Sequence, residues 1–594
     1  MIRKTVFQSG SEAYGVVMKS LCFILLLFAF VRLSAGERQY LWPEGRMPDP
    51  QPHQIAAPLN VASAEGFNPD GHRRPYLEWH DTPASNRSDA CIILISGGGY
   101  NSWYDVGLVK EWERRYSSLG IRCVSLVYRT PRPDGLEFYR TAWQDGQRAV
   151  RLVRSRAKEL GFSPDNIGAV GMSAGGHLTV LLATSSLTDA YVRIDSVDDV
   201  GSHLNWAIVN AAAYTTTDSD GGTKALRGGD GVDVGISPLF RFDGKTCPMC
   251  LTHGGADLCS PIGSTLIYRE LRKRGIPSEI HLYADKGHGA FGLERTVEFL
   301  RQMEISGKIE KEECMAVYSG RYTARRLRFA LWPEGKMPYA QTNQTYRPHV
   351  EIFMPVKLRT KAVQMIFPGG GYNHCSTNSE GCAVAELFNS KGMAAAVVTY
   401  RTPRPEGGLA KHTVAWADAR RAIRIVRSEA AALGLDGGRI GVMGFSAGGH
   451  LALMCATTSR GRAYWPVDRL DTVGVDVQWA LPVYPAYVLT DGAAGPNVGG
   501  GNDDSAHIVS EFAFDLSTPP MCFLHGDADG YSAMNSVKAW ERLRRMGIQS
   551  DLHTFVKRGH CFQFRSSPGT GSRNWFERNW DFLRAKGFVE NHLK

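Results

Sequence analysis

Short apolar runs alternate with amphipathic stretches along this chain, and the same series is written twice. ACIILISGGGYN at 90–101 and AVQMIFPGGGYN at 362–373 are largely apolar runs ending in three glycines, the pattern of a strand buried on both faces. GIRCVSLVYRTPRP at 120–133 and GMAAAVVTYRTPRP at 392–405 predict a second strand, stopped by two prolines. Trp143, Gly146, Val150 and Val153 then recur as Trp416, Ala419, Ile423 and Val426, a spacing that puts them on one apolar helix face with arginines on the other side. In GAVGMSAGGHLTVL (168–181) and GVMGFSAGGHLALM (441–454), a β-favouring run leads into a small-residue turn and a helical run leads out. After each turn comes a Gly-, Asp- and Thr-rich stretch, around 190–245 and 460–517, where a substrate-facing insertion is expected. PMCLTHGGAD (248–257) pairs with PMCFLHGDAD (520–529), and SEIHLYADKGHG (278–289) with SDLHTFVKRGHC (550–561).

The register of the repeat is tight. Gly97 and Gly369, Ser173 and Ser446, Asp257 and Asp529, and His288 and His560 all stand 272 or 273 residues apart. LWPEGRMP at 41–48 returns as LWPEGKMP at 331–338. Strands alternating with helices predict an α/β fold: two tandem copies, each a mostly parallel sheet flanked by helices. The expected boundaries are 37–312 and 313–594, with the join near 305–325.

Before the first copy, Arg3, Lys4 and Lys19 precede the apolar run Leu21–Val31, and Leu33, Ser34 and Ala35 lead to Gly36. That arrangement describes a secretory signal peptide over residues 1–36, too short for a comfortable membrane span. The expected location is secreted or periplasmic, with no stable membrane span after cleavage. The net charge of +9 over 594 residues is dispersed rather than gathered into basic runs, so no nucleic-acid partner is implied. The 12 cysteines are scattered, and the lone pair Cys247 and Cys250 has no second pair nearby, which favours buried thiols over a metal site.

Chemistry concentrates at the ends of the predicted strands. A serine hydroxyl needs a base within hydrogen-bond reach and a third group to orient that base. Each copy offers all three: Ser173, Asp257 and His288, then Ser446, Asp529 and His560. The order Ser, Asp, His fits the α/β-hydrolase arrangement and excludes the orders of the two large serine-protease folds. Asp285 and Asp527 are competing acids, but neither recurs in the other copy. Oxyanion stabilisation calls for backbone N–H groups beside the serine. Ala174 and Ala447 each supply one, and Gly98 or Gly99, and Gly370 or Gly371, supply another. Tyr100 and Tyr372 either line the substrate pocket or pack as buried aromatics, whereas His177 and His450 point away from the serine into packing.

GGGY, YRTPRP, G-[MF]-S-A-G-G-H, HG-x-A-D and the terminal GH together resemble the secreted bacterial α/β-hydrolase esterases related to acetylxylan and feruloyl esterases. The resemblance covers roughly 40–300 and 330–590. It implies a Ser-His-Asp acyl-enzyme mechanism, without metal or cofactor, that removes acetyl or feruloyl groups from acylated polysaccharide or oligosaccharide such as xylan. Ser96 and Pro368 stand where lipase-like relatives carry His, which sets the oxyanion loop apart. Two other readings are a prolyl-oligopeptidase-like peptidase, although no propeller-like repeat precedes either unit, and a catalytic half joined to a non-catalytic binding half.

Overall fold

The computed structural model describes residues 37–82, 87–104, 106–218, 234–306, 318–344, 347–490, 506–564 and 573–590. The predicted signal peptide and the boundary between residues 312 and 313 lie outside the described residues. Among the described residues, no helix is long and apolar enough to cross a membrane.

Each half contributes eight strands to the sheet. In the first these are β1 (Arg38–Tyr40), β2 (Tyr76–Trp79), β3 (Cys91–Ile95), β4 (Arg122–Val127), β5 (Ile167–Met172), β6 (Trp206–Asn210), β7 (Met249–Gly254) and β8 (Ser278–Tyr283). The second half has β9 (Thr323–Ala330), β10 (His349–Pro355), β11 (Val363–Phe367), β12 (Ala394–Thr399), β13 (Ile440–Phe445), β14 (Trp479–Val483), β17 (Cys522–Gly526) and β18 (Asp551–Phe555). A separate two-stranded ribbon joins β15 (Leu489–Thr490) to β16 (His507–Ile508). The spatial order is β1-β2-β4-β3-β5-β6-β7-β8 in one half and the corresponding β9-β10-β12-β11-β13-β14-β17-β18 in the other. Pairing is antiparallel only at the outer edge of each half and parallel across the rest. The α/β class and its repeated topology are those expected from the alternating pattern.

Unexpectedly, the two sheets are one. β8 pairs antiparallel with β18, closing a single 16-stranded sheet. The register sets His281 opposite His553, residues that correspond under the 272-residue repeat, so a local two-fold axis passes between their rings. Their Nδ1 atoms lie 3.2 Å apart. The acids beside them cross over symmetrically: Glu279 accepts from the Val556 amide at 3.1 Å, and Asp551 from the Ala284 amide at 2.7 Å. Arg272 donates to the Asp527 carbonyl, and Arg544, its counterpart, donates to the Gly255 carbonyl. This union covers two edges that would otherwise be unpaired strands.

Two sequence expectations need correction. The helix Arg140–Ser155 does not turn its arginines to solvent: Arg148, Arg151 and Arg154 are all buried. Asp195 and Asp198, in a turn closed by a capping box, hold Arg148 at 2.6 and 2.9 Å, and Asp468 and Asp471 do the same for Arg421. The stretches 190–245 and 460–517 are also not simply insertions, because each carries a core strand, β6 and β14. Burial on both sheet faces makes these strands continuous short apolar runs with no alternation to mark them.

The repeated LWPEG and YRTPRP motifs meet at one buried ion pair in each half. Arg129 and Asp145 are fully buried with 2.9 Å between them, and Asp145 also accepts from Trp42 Nε1 at 2.8 Å. Arg401, Asp418 and Trp332 repeat the arrangement at 2.8 and 2.6 Å. Removing one partner leaves an uncompensated buried charge. Asp145→Ala or Asp418→Ala should each destabilise the protein by about 3–5 kcal/mol, read as an earlier midpoint in urea unfolding followed by tryptophan fluorescence.

Candidate active site

Both elbows form as the glycine spacing requires. Ser173 (φ 57°, ψ −122°) follows β5 and opens the helix Ala174–Thr184, and Ser446 (φ 55°, ψ −118°) follows β13 and opens Ala447–Thr457. A Cβ on Gly171 would stand 2.2 Å from the Gly175 carbonyl oxygen, and one on Gly175 would stand 2.4 Å from that of Ile95. In the second copy the corresponding approaches are 1.9 and 2.0 Å. Only glycine fits at these four positions. Every residue of the two helices is buried, which suits their almost wholly apolar sequences.

The strand ends bring the predicted residues together. After β7, Asp257 meets His288 Nδ1 at 2.9 Å through both oxygens, and after β17, Asp529 meets His560 Nδ1 at 3.0 and 2.8 Å. In the second copy His560 Nε2 reaches Ser446 Oγ at 2.8 Å, completing an unbroken chain from hydroxyl to carboxylate. In the first copy no hydrogen bond joins His288 to Ser173 among the described residues. Burial would raise the carboxyl pKa of Asp257 and Asp529, but hydrogen bonds and charge from His253 and His288, and from His525 and His560, outweigh it. Both acids are held well below the usual carboxylate range. His253 and His525, which the sequence reading passed over, lie in the HG-x-A-D motifs 3.2 and 3.5 Å from their aspartates.

The triple-glycine loops pass directly over the serines. A Cβ on Gly97 would lie 3.0 Å from Ser173 Cβ, and one on Gly369 would lie 3.1 Å from Ser446 Cβ. Gly98 (φ 121°), Gly99 (φ 63°), Gly370 (φ 128°) and Gly371 (φ 63°) all adopt positive φ. These glycines and the helix-opening residues Ala174 and Ala447 border the two serines. His177 is fully buried, and desolvation lowers its pKa to about 3, so it stays neutral. It bonds Tyr100 Oη at 2.7 Å, as His450 bonds Tyr372 Oη at 2.8 Å.

Direct substrate contact by Tyr100 and Tyr372 is therefore corrected. Each is 1% exposed with its hydroxyl turned inward. The aromatic rings they stack against, Tyr214 and Tyr487, are also buried, each hydroxyl accepting from the second arginine of YRTPRP, Arg132 at 2.8 Å and Arg404 at 3.1 Å. The repetition of that arginine was the available signal for it.

One buried carboxylate distinguishes the second copy and left no sequence signal, because Leu108 occupies its place in the first. Glu380 lies in a π-helical turn, Thr377–Cys382, and is 3% exposed. It accepts from the Gly369 amide at 2.6 Å and from Tyr484 Oη at 2.9 Å, and the Tyr484 ring packs 4.8 Å from that of His560. Desolvation raises its pKa. Glu380 thus ties the glycine loop to the ring beside the histidine.

The comparisons with known proteins fall on these same regions. The BD-FAE family matches residues 80–218 and 350–473, two stretches that each contain a glycine loop and an elbow. An acetylxylan esterase from Xylanibacter ruminicola is 27% identical over 244 residues, covering 40% of this chain and 46% of that protein. An endo-1,4-beta-xylanase B from Butyrivibrio fibrisolvens is 29% identical over 127 residues, 21% of this chain and 20% of that one. The chain thus spans less than half the length of the curated relatives it matches. Among solved structures, an acetyl ester-xyloside bifunctional hydrolase from Caldicellulosiruptor lactoaceticus is 23% identical, covering 47% of this chain and 100% of that chain, with TM-score 0.36. A propionate-bound esterase from Thermogutta terrifontis is 24% identical, covering 43% and 97%, with TM-score 0.34.

Replacing Glu380 with Leu, the residue of the first copy, strands one amide and one hydroxyl. In a Ser173→Ala background it should lower kcat on a small aryl ester about tenfold or more, while Glu380→Gln, which keeps an acceptor, retains most of it; steady-state kinetics of the two variants check this. In both copies the elbow-bearing segments are similar to BD-FAE, an esterase family of the α/β-hydrolase type.

Proposed function

We propose that the chain is a serine carboxylic-ester hydrolase that removes acyl groups, acetyl foremost, from xylan-type polysaccharide, with one nucleophile in each half. The observation that carries this reading is the hydrogen-bonded series Ser446, His560, Asp529 at the mouth of the β13 elbow. The names of the two curated relatives supply the carbohydrate part. The leader pattern over residues 1–36 supports a location outside the cytoplasm, where such a polymer is met, and the repeat supports two units over 37–312 and 313–594.

In this mechanism Ser446 Oγ gives its proton to His560 Nε2 as it attacks the ester carbonyl carbon. Asp529 holds the imidazole by Nδ1 and stabilises the imidazolium. The oxyanion is received by the Ala447 amide and by Gly370 or Gly371, fixed dipoles that need no reorganisation as charge develops. His560 then protonates the departing sugar oxygen, leaving acyl on Ser446, and a water activated by the same imidazole releases the acid. Ser173, His288 and Asp257 perform the same steps in the first half once His288 swings onto the serine, since catalytic hydrogen bonds are often long before substrate binds. The two sites differ beside the histidine, because Cys259 in one copy corresponds to Tyr531 in the other, whose ring centroid lies 4.6 Å from that of His560.

The test is acetate and ferulate release from acetylated xylan and feruloylated arabinoxylan. Ser173→Ala and Ser446→Ala should each remove part of the activity, the larger share with Ser446, and the double variant should lose about 10³-fold or more. Full release by the double variant would discard both sites. Cleavage of small esters with no release from either polymer would discard the polysaccharide.

A further inference from the structure

Behind the oxyanion loop, each half packs a box of side chains around the histidine of its elbow helix. In the first half the box is aromatic and aliphatic: Phe138, Tyr139 and Phe240 lie with ring centroids 6.0, 5.8 and 5.4 Å from that of His177. His177 Nε2 is buried there with no hydrogen-bond partner. The second half keeps the histidine and the unpartnered nitrogen but replaces three neighbours at once. Lys411, His412 and Glu511 stand where the first half has Phe138, Tyr139 and Leu239.

These replacements converge on one point. Glu511 Oε1 lies 3.5 Å from His450 Nε2 and 3.9 Å from His412 Nδ1, and both nitrogens are buried without a hydrogen-bond partner. One ligand atom from each of the three residues falls within 4.8 Å of the others. Buried polar atoms left unpaired in a native structure call for a water or an ion between them. The donor types favour an ion: two imidazole nitrogens and a carboxylate oxygen are gathered at one point. Lys411, the remaining charged group facing the cluster, rests its ammonium 4.0 Å from the centroid of the Tyr487 ring and forms no ion pair with Glu511 among the described residues.

We propose that His412, His450 and Glu511 form a divalent transition-metal site, best suited to Zn²⁺, specific to the second half and separate from the ester-cleaving groups. Two imidazole nitrogens and one carboxylate oxygen are a donor set zinc accepts, with room for a water as fourth ligand. Ligand atoms about 2.0–2.2 Å from a tetrahedral ion stand roughly 3.3–3.6 Å apart, so the separations of 3.5 and 3.9 Å to Glu511 are near closure, and the whole set, within 4.8 Å, contracts by about an ångström at most. Metal on His450 Nε2 fixes the ring proton on Nδ1, which then donates to Tyr372 Oη at 2.8 Å. The site therefore bears on Gly370 and Gly371 through the residue that follows them, as a structural clamp on the loop.

The proposal stands apart from the choice of substrate and is tested without it. Full-length protein is loaded with equimolar Zn²⁺ or Co²⁺, desalted and assayed for bound metal. About one equivalent per chain is expected, with cobalt absorption typical of nitrogen and oxygen ligands and no thiolate charge-transfer band. His412→Tyr and Glu511→Leu, residues the first half already carries in the same packing, should each weaken binding about tenfold or more; Glu511→Gln serves as a variant of unchanged shape. Retention of no metal by the parent protein overturns the site and leaves a water in its place. Metal that survives these substitutions, or that shows a thiolate band, overturns it in favour of the buried clusters Cys250, Glu279, His281 and Cys522, Asp551, His553.

Discussion

A serine held at φ 57° and ψ −122° sits where L-residues rarely settle, a strain of about 1–3 kcal/mol that only dense surroundings can impose. The surroundings here are backbone against backbone. The helix that follows Ser173 is pressed so close to β3 and β5 that a single methyl group at Gly171 or Gly175 would overlap a carbonyl oxygen. That approach fixes the serine at the sheet's rim, sets the Ala174 amide beside it, and fixes where the glycine loop, the acid and the histidine must come. The order of the sheet, the burial of the helix and the position of the strand ends all serve the same turn.

Much of this was legible in the sequence because the constraint is written in residue types. Glycines at Gly171, Gly175, Gly444 and Gly448 have no substitute, and a histidine straight after a strand end is visible in a linear string. The residues that escaped notice act through distance rather than pattern. Arg148 looks like any surface arginine of an amphipathic helix until Asp195 and Asp198, in a turn some fifty positions on, are folded over it. β6 and β14 were hidden in stretches dominated by polar residues, since five apolar positions carry no period. Glu380 was invisible because comparison of the copies finds only Leu108 at its position. The union of β8 with β18 left no mark, because the buried polar residues of SEIHLY and DLHTF, among them Glu279, His281, Asp551 and His553, find their partners in the other half of the chain, some 270 positions away.

The two halves share a scaffold more completely than they share a pocket. Both keep the arginine and tyrosine pair that flanks the glycine loop, Arg132 with Tyr214 and Arg404 with Tyr487. Around that frame the second half has taken on ionisable groups, Glu380, Lys411, His412 and Glu511, at positions where the first is apolar or aromatic. Each such group lies beneath or beside the loop rather than in the series of serine, histidine and acid. The serine, histidine and acid recur in both halves while the groups around them diverge.

The β8 and β18 contact shows what such divergence requires. In a symmetric pair of separate identical chains, any change at a two-fold contact is made twice, and a new charge meets its own copy. Joining the copies in one chain keeps the contact and lifts that condition. Asp527 occupies the position of Gly255 and binds Arg272 and the Ser278 amide, whereas Gly255 offers Arg544 only its carbonyl. Such a one-sided bond cannot persist in two identical subunits unless both carry it. With both faces in one chain, each side of the β8 and β18 contact can carry its own residues, as Asp527 and Gly255 do.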